Sequence, residues 1–411
     1  METWSQAFHQ QGYAITKNSN EADLLVLNTC AVTNDASRKS RNLINRLHRD
    51  NPTAKLIVTG CHASLNAEQV ADTLGVDLVV GNDKKEALPA IVKAQLSLPT
   101  MPLSATEPDD IALYSRGRHR AFIKIQDGCR YRCTFCIVTV ARGEEHSRSV
   151  HEIVAEIDRF HRSGINEVVL TGVHVGGFGS ENGSNLYELI QAILEQTDIP
   201  RLRLASVEPW DLPDNFFELF RNPRLMPHMH LPLQSGSDAV LRKMARRCKT
   251  EQFADLVAKA REIVPDFNVT SDVIAGFPGE TEDDWDKGLA FIERIGFGHL
   301  HIFPFSPRQG TKAANMEAQV PKPLAAERCK ELARLAEKMK LFHLRTAKGK
   351  KAVPVLWERP SRSESPGKIR FSGYTPNYLR VETEVDDKFD LEYDILNTDL
   401  VDIDENRGVL I

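Results

Sequence analysis
The 411-residue sequence predicts an α/β protein in three parts. An N-terminal parallel α/β domain spans 1–95, a central parallel partial (β/α) barrel spans 116–345, and a small β-barrel spans 346–411. Three observations carry this. Apolar, β-branched runs of strand length alternate with helical patterns in the first two parts, as in a parallel sheet covered by helices. Pro99, Pro102 and Pro108 with Asp109-Asp110 interrupt that rhythm, so 96–115 reads as a linker. Beyond 346 the runs become short and alternating, with glycine turns.

In the first part the strand candidates are Leu24-Leu-Val-Leu27, Lys55-Leu-Ile-Val-Thr59 and Val76-Asp-Leu-Val-Val80. Helical patterns lie around 34–49 and 66–74, with a helical tail over 91–98. In the second part strands are expected at 121–126, 167–171, 201–206, 228–231, 268–274 and 298–303. Helices are expected at 150–163, 185–196, 238–245, 251–263 and 281–295, then a charged helix over 322–347. Polar and glycine-rich clusters fall at the strand ends, where parallel sheets place their chemistry. In the third part Val353-Pro-Val-Leu-Trp357 and Tyr378-Leu-Arg-Val381 are the clearest short strands.

Composition is globular, with 41% apolar and 27% charged residues. A net charge of -5 argues against indiscriminate coating of nucleic acid, and leaves room for a local basic patch. Seven unevenly spread cysteines do not make a secreted disulfide scaffold, and thiolate ligands need a reducing compartment. No basic-then-apolar leader is present, and no window approaches the roughly 18 apolar residues of a membrane span. The expectation is a cytoplasmic protein with no membrane partner.

The chemistry centres on Cys129, Cys133 and Cys136, a C-x3-C-x2-C run entered from a strand through Gly128. Three thiolates at that spacing can hold three irons of a [4Fe–4S] cluster, leaving the fourth iron open to a small ligand. A zinc site or three inert core thiols are the competing readings. After the next strand comes Thr171-Gly172-Val173-His174-Val175-Gly176-Gly177-Phe178-Gly179, whose glycines allow close backbone approach to a ligand, or simply form a loop. Ser206 and Glu208 close a later strand and can contact ribose or substrate, or act as caps. Gln234 and Ser235 offer neutral hydrogen bonds toward a cofactor. Asp272 and Gly276 end another strand, with apolar neighbours suited to adenine and Thr281 as a helix cap.

Basic residues are locally concentrated. Arg38, Lys39, Arg41, Arg46 and Arg49 fall in one helix, where Arg38, Arg41 and Arg49 can share a face. Arg116, Arg118 and Arg120 precede the cysteines, and Arg130, Arg132, Arg142 and Arg148 surround them. Arg242, Lys243, Arg246 and Arg247 form a further run. Such groups attract phosphate, although a charged helix face is often only solvated.

The cysteine spacing resembles the signature of the radical S-adenosylmethionine (SAM) superfamily, with Phe135 at the aromatic position used against adenine. Asn28-Thr-Cys30, Thr59-Gly-Cys61, Leu231-Pro-Leu-Gln-Ser-Gly236, Gly276-Phe-Pro-Gly-Glu-Thr281 and Phe305-Ser-Pro-Arg308 extend the resemblance to the methylthiotransferases of that superfamily. The resemblance implies a radical SAM partial barrel, a TRAM-like C-terminal barrel, SAM as methyl donor and radical source, and two [4Fe–4S] clusters. The Thr171–Gly176 loop would hold the methionyl amine. Cys30 and Cys61 match two ligands of the auxiliary cluster, while the family's first strand and third cysteine have no counterpart here. The expectation is a natural start upstream of Met1. Val138-Thr139-Val140 replaces a proline-stiffened turn before Ala141-Arg142-Gly143. That change should affect loop rigidity more than ligation.

Gly373-Tyr374-Thr375-Pro376-Asn377-Tyr378 and Ser206-Val-Glu-Pro209 resemble the branch acting on N6-threonylcarbamoyladenosine at tRNA position 37. Tyr374 and Tyr378 can then stack on bases and Asn377 can hydrogen-bond, or all three can pack the small barrel. The implied partners are a tRNA anticodon loop, an electron donor such as flavodoxin or ferredoxin, and a sulfur donor of unknown identity. Alternatives are another tRNA adenosine, a ribosomal protein aspartate, or an RNA- or SAM-binding protein without turnover.

Overall fold
A computed structural model describes residues 2–96, 98 and 120–411. The expected linker over 96–115 and the basic residues Arg116 and Arg118 lie almost wholly outside the described residues. The chain divides into two compact units. One comprises Met1–Gly117, Cys129–Glu144 and Ser306–Ala314, and the other Arg118–Gly128, Glu145–Phe305 and Asn315–Ile411.

In the first unit β1 (Leu24–Thr29), β2 (Lys55–Gly60) and β3 (Val76–Val80) form a parallel sheet in that order. Alternation along β2 buries both faces. Ile57 packs with Trp4, Phe8, Leu88 and Val92 on one side, while Leu56 and Val58 pack with Ile44, Ala63 and Val70 on the other. The helix Asn34–Asp50 starts where the Thr33 hydroxyl accepts the Ala36 amide at 3.1 Å. That cap satisfies one of the orphan donors of the first turn.

In the second unit β4 (Arg120–Lys124) leads into β5 (Gln126–Asp127), which pairs antiparallel with β6 (His146–Ser147). Then come β7 (Glu167–Thr171), β8 (Arg201–Leu204), β9 (His228–His230), β10 (Asn268–Ala275) and β11 (His299–Pro304). Two parallel ladders, β4-β7-β8 and β9-β10-β11, are joined by the parallel bridge Ser206↔His230. Helices are laid against one face. Ile123, Val168, Leu170, Leu204, Met229 and Val273 pack there with Ile153, Leu189, Phe253 and Ile292. The alternating residues point away from the helices, and the sheet stays open, as a partial barrel requires.

The C-terminal strands correct one expectation: they do not form a closed barrel. They are β12 (Val353–Trp357), β13 (Ser361–Arg362), β14 (Lys368–Tyr374), β15 (Arg380–Asp386), β16 (Ile395–Thr398), β17 (Ile403–Asp404) and β18 (Val409–Leu410). They run β16-β12-β14-β15-β18-β17, with β13 on β14, and β16 and β17 are left as edges. The ladder thins out before it can come round, since β15 meets β18 through the single pair Val381↔Leu410. A helix takes part in the filling instead. Leu344 and Ala347 of the helix Lys322–Ala347 enter the core formed by Val355, Trp357, Phe371, Leu379, Val381, Leu400 and Leu410.

Candidate active site
In the first unit the strand register sets the two N-terminal cysteines beside each other. Thr29 pairs with Gly60, and Cys30 and Cys61 are the next residues of their strands. The Thr29 hydroxyl donates to Thr59 O at 2.6 Å and accepts the Ala63 amide at 3.1 Å, which locks the two strand ends. Gly60 is required: its φ is 96°, and a Cβ there would lie 2.2 Å from Thr29 O. Cys30 is exposed and Cys61 half-buried, and the Asn82 side-chain amide stands 3.7 Å from the Cys61 sulfur. Arg308 reaches Asn34 Oδ1 at 2.7 Å and Ser37 Oγ at 3.3 Å. Burial pulls the Arg308 pKa down, against the opposing effect of Cys30. His62 is buried, and burial, Arg41 and Arg308 together hold its pKa low.

Cys129, Cys133 and Cys136 are all half-buried on one loop of this unit. The loop is built by its own backbone. Cys136 N donates to Cys133 O at 3.1 Å, Cys129 N to Gly143 O at 3.2 Å, and the Thr139 hydroxyl to Tyr131 O at 2.9 Å. Val138 N donates to the Cys136 sulfur at 3.4 Å. The Val138–Arg142 segment forms a helical turn that Gly143 ends at φ 76°. These three thiols therefore fit a [4Fe–4S] cluster with one open iron. Cys30 and Cys61 supply an incomplete set for a second. Cys248 and Cys329 belong to the other unit, and burial raises both thiol pKa values, that of Cys248 to about 11.

In the second unit the glycine loop after β7 is held by Gln126, a residue not anticipated as functional. Its buried amide donates to the carbonyls of Asp127 (3.0 Å) and Gly128 (2.8 Å). Its Oε1 accepts the amides of Val173 (3.1 Å) and His174 (2.8 Å). Both donors and both lone pairs are used. Gly172 must be glycine, because a Cβ there would stand 2.9 Å from Gln126 Oε1. His174 is fully buried, with Nδ1 on Glu145 Oε1, Nε2 2.6 Å from Asp211 Oδ2 and 3.6 Å from Glu208 Oε2. Burial opposes a charge on His174, but Asp211, Glu208 and Glu145 outweigh it and raise the pKa. Burial raises that of Glu208.

The other anticipated residues are engaged as follows. The Thr171 hydroxyl donates to Ile123 O, and Gly176 stands where a Cβ would come 3.1 Å from Asp211 Cβ. Ser206 bridges to His230, and Gln234, at φ 75°, exchanges backbone hydrogen bonds with Asp272 O and Ile274 N. The buried Ser235 hydroxyl accepts the Ser237 amide, and Gly276 N donates to Glu280, itself paired to Arg328 at 2.7 Å. These two shape turns. Asp272 stands 3.3 Å from His230 Nε2. Phe135 and Arg142 are half-buried, while Arg38 and Arg41 are exposed, Arg38 pairing with Asp35 at 3.0 Å. Arg148 is paired with Glu156 at 2.6 Å.

Tyr374, Asn377 and Tyr378 all make side-chain contacts within the second unit. The two rings stack on each other at 4.6 Å, and Tyr378 stacks on His228 at 4.7 Å. The Arg203 and Arg120 guanidiniums lie over them. Asn377 is buried, donating to Asp266 O and accepting through its backbone from Asn268. Beneath the rings Glu167 is fully buried among Arg120 (3.1 Å), Arg203 (3.1 Å) and Arg201 (3.5 Å). Burial favours protonation of Glu167, yet Arg203, Arg120 and Arg201 outweigh it and hold the carboxyl at about 2.

An open parallel sheet in one unit and a half-buried three-thiol loop in the other point to a radical SAM enzyme, and the radical SAM superfamily model matches residues 123–292. Residues 1–81 match the family described as uncharacterized protein family UPF0004. The threonylcarbamoyladenosine tRNA methylthiotransferase MtaB of Bacillus subtilis is 35% identical over 92% of this chain and 85% of its own length. MtaB of Thermotoga maritima is 36% identical over 85% and 81%. The tRNA-2-methylthio-N(6)-dimethylallyladenosine synthase of Paracoccus denitrificans is 34% identical over 89% and 84%. The chain belongs to the radical SAM methylthiotransferases. Among solved structures the radical SAM methyltransferase TsrM of Kitasatospora setae shares the fold, with a TM-score of 0.54 at 16% identity over 88% of this chain and 73% of its own. No described helix is long and apolar enough to cross a membrane.

Proposed function
We propose that this methylthiotransferase converts N6-threonylcarbamoyladenosine at position 37 of tRNA to its 2-methylthio derivative. The observation that carries the reading is the half-buried three-thiol loop in a chain matched almost end to end by enzymes named for that nucleoside. Cys129, Cys133 and Cys136 would hold the radical SAM cluster, and Cys30 and Cys61 would contribute to the auxiliary one. When bound, these clusters and SAM supply the electron, the C–H-cleaving radical and the methylated sulfur. The Val138 amide donates to the Cys136 sulfur and orients it. Gln126 holds the Val173 and His174 amides, and with them the loop that would receive the methionyl amine. Glu145, Asp211 and Glu208 gather around His174 beside that loop, and their carboxyl oxygens would suit an ammonium group. Exposed Arg38 and Arg41 would meet RNA phosphates. A loop nucleotide unstacks at small cost, so adenosine 37 can be presented without melting a duplex. A flavodoxin- or ferredoxin-type donor and a reducing cytoplasm complete the reading.

The test is nucleoside analysis of tRNA from a host lacking this gene, with and without the gene restored. Restoration should produce 2-methylthio-N6-threonylcarbamoyladenosine and consume its precursor. Appearance of the 2-methylthio dimethylallyl nucleoside instead would assign the chain to the other tRNA branch.

A further inference from the structure
One cluster of side chains has no part in the chemistry above. His230 of β9, Asp272 of β10 and His301 of β11 stand on three adjacent strands; Asp272 is level with His301, and His230 with Thr270, two residues earlier on β10. Their donor atoms all lie within 4.8 Å of one another. They point away from the helices, since the neighbouring residues Met229, Val273 and Leu300 are the ones buried in the core. His230 Nδ1 is held by the Thr270 hydroxyl at 3.0 Å, which leaves Nε2 directed toward Asp272 Oδ1 at 3.3 Å. The His301 ring is exposed, 5.5 Å from that of His230 and 4.9 Å from that of His299. His301 is exposed and His230 and Asp272 are half-buried on the side away from the helices.

We propose that His230, Asp272 and His301 form a polar subsite for the threonylcarbamoyl group of the nucleoside, resting on the substrate reading above. That group carries a carboxylate, a hydroxyl and urea N–H donors. The exposed His301 imidazole can donate an N–H to the carboxylate, and Asp272, steadied by His230, can accept from the hydroxyl or a urea N–H. The pattern is complementary in both signs, which a carboxylate alone or a hydrocarbon would not match. A dimethylallyl group offers no partner, and its entry would strip water from the imidazoles and Asp272 without return. Sites built to hydrogen-bond discriminate strongly against analogues that lack the group.

The test is direct binding, by fluorescence anisotropy, of anticodon hairpins carrying threonylcarbamoyladenosine, its carboxylate methyl ester, or dimethylallyladenosine. The wild-type chain should bind the free acid at least about tenfold more tightly than the ester. His301→Phe should remove most of that preference while leaving ester binding within about twofold, and His301→Gln, which keeps an N–H donor, should restore part of it. Asp272→Asn should weaken acid and ester together, because its partners are the hydroxyl and urea. Equal weakening of acid and ester by His301→Phe would overturn the subsite. So would loss of a bound zinc or cobalt equivalent in that variant with the acid preference intact, since the trio would then be a cation site. Intact discrimination by a chain that methylthiolates none of these RNAs would defeat the activity reading and leave the subsite standing.

Discussion
Replacing Gln126 by leucine should free the glycine loop. The side chain is about the same size and fully buried, so packing changes little. The loss is four hydrogen bonds, two to Asp127 and Gly128 and two from Val173 and His174. At about 1 kcal/mol net each the ceiling is about 4 kcal/mol, and the two amides account for about 2 kcal/mol of local protection. That is roughly a 30-fold faster exchange of the Val173 and His174 amides, read by hydrogen-exchange mass spectrometry on the folded protein. Gln126→Glu sharpens the attribution. It keeps the acceptor for the two amides but turns a carboxylate toward two carbonyls. Its exchange at Val173 and His174 should therefore be less perturbed than in the leucine variant, and its deficit should shrink as pH falls and the carboxyl regains a donor. Wild-type exchange at both amides in folded Gln126→Leu would refute the assignment of Gln126 as the anchor of this loop.

Three further outcomes follow from the same structure. Glu167 has a carboxyl held from its ordinary 4.5 down to about 2, so it contributes about 3 kcal/mol of stability above pH about 4.5 that is lost as pH falls toward 2. Glu167→Gln should be about 3–5 kcal/mol less stable at neutral pH in urea unfolding and should lack that part of the acid dependence. Cys133→Ala should lose roughly four irons per chain after anaerobic reconstitution, with the cluster absorbance falling in step. Arg38→Glu with Arg41→Glu should weaken tRNA binding and reduce the slope of log affinity against log salt by about 2, with SAM binding unchanged.

The chemistry legible in the sequence was of the local kind. Three cysteines within eight residues of one another can be read as a ligand set because a single loop carries them, whatever the strands around it do. The parallel alternation of the first two parts was equally readable, since β-branched runs and helical periodicity are properties of short windows. Cys30 and Cys61 were placed at strand ends by the same reading, and the register Thr29↔Gly60 then set them side by side. The tyrosines of the C-terminal module were not legible in this way. An aromatic pair near an asparagine suits RNA and suits packing equally well, and only the fold put His228, Arg120 and Arg203 against their faces.

By itself the sequence determined the candidate ligand thiols, the strand–helix rhythm and the family motifs, because each is written in residues close along the chain. The tertiary structure decided what depends on register between distant strands. It gave Gln126 two of its four partners across nearly fifty residues, gathered His230, Asp272 and His301 from three strands, and buried Glu167 among three arginines. It also left the C-terminal sheet open. Alternating runs predict strands but not closure, which depends on ladder length and on what fills the core. Here one residue pair joins β15 to β18, and Leu344 and Ala347 take up interior space that a closed barrel would keep for its own strands.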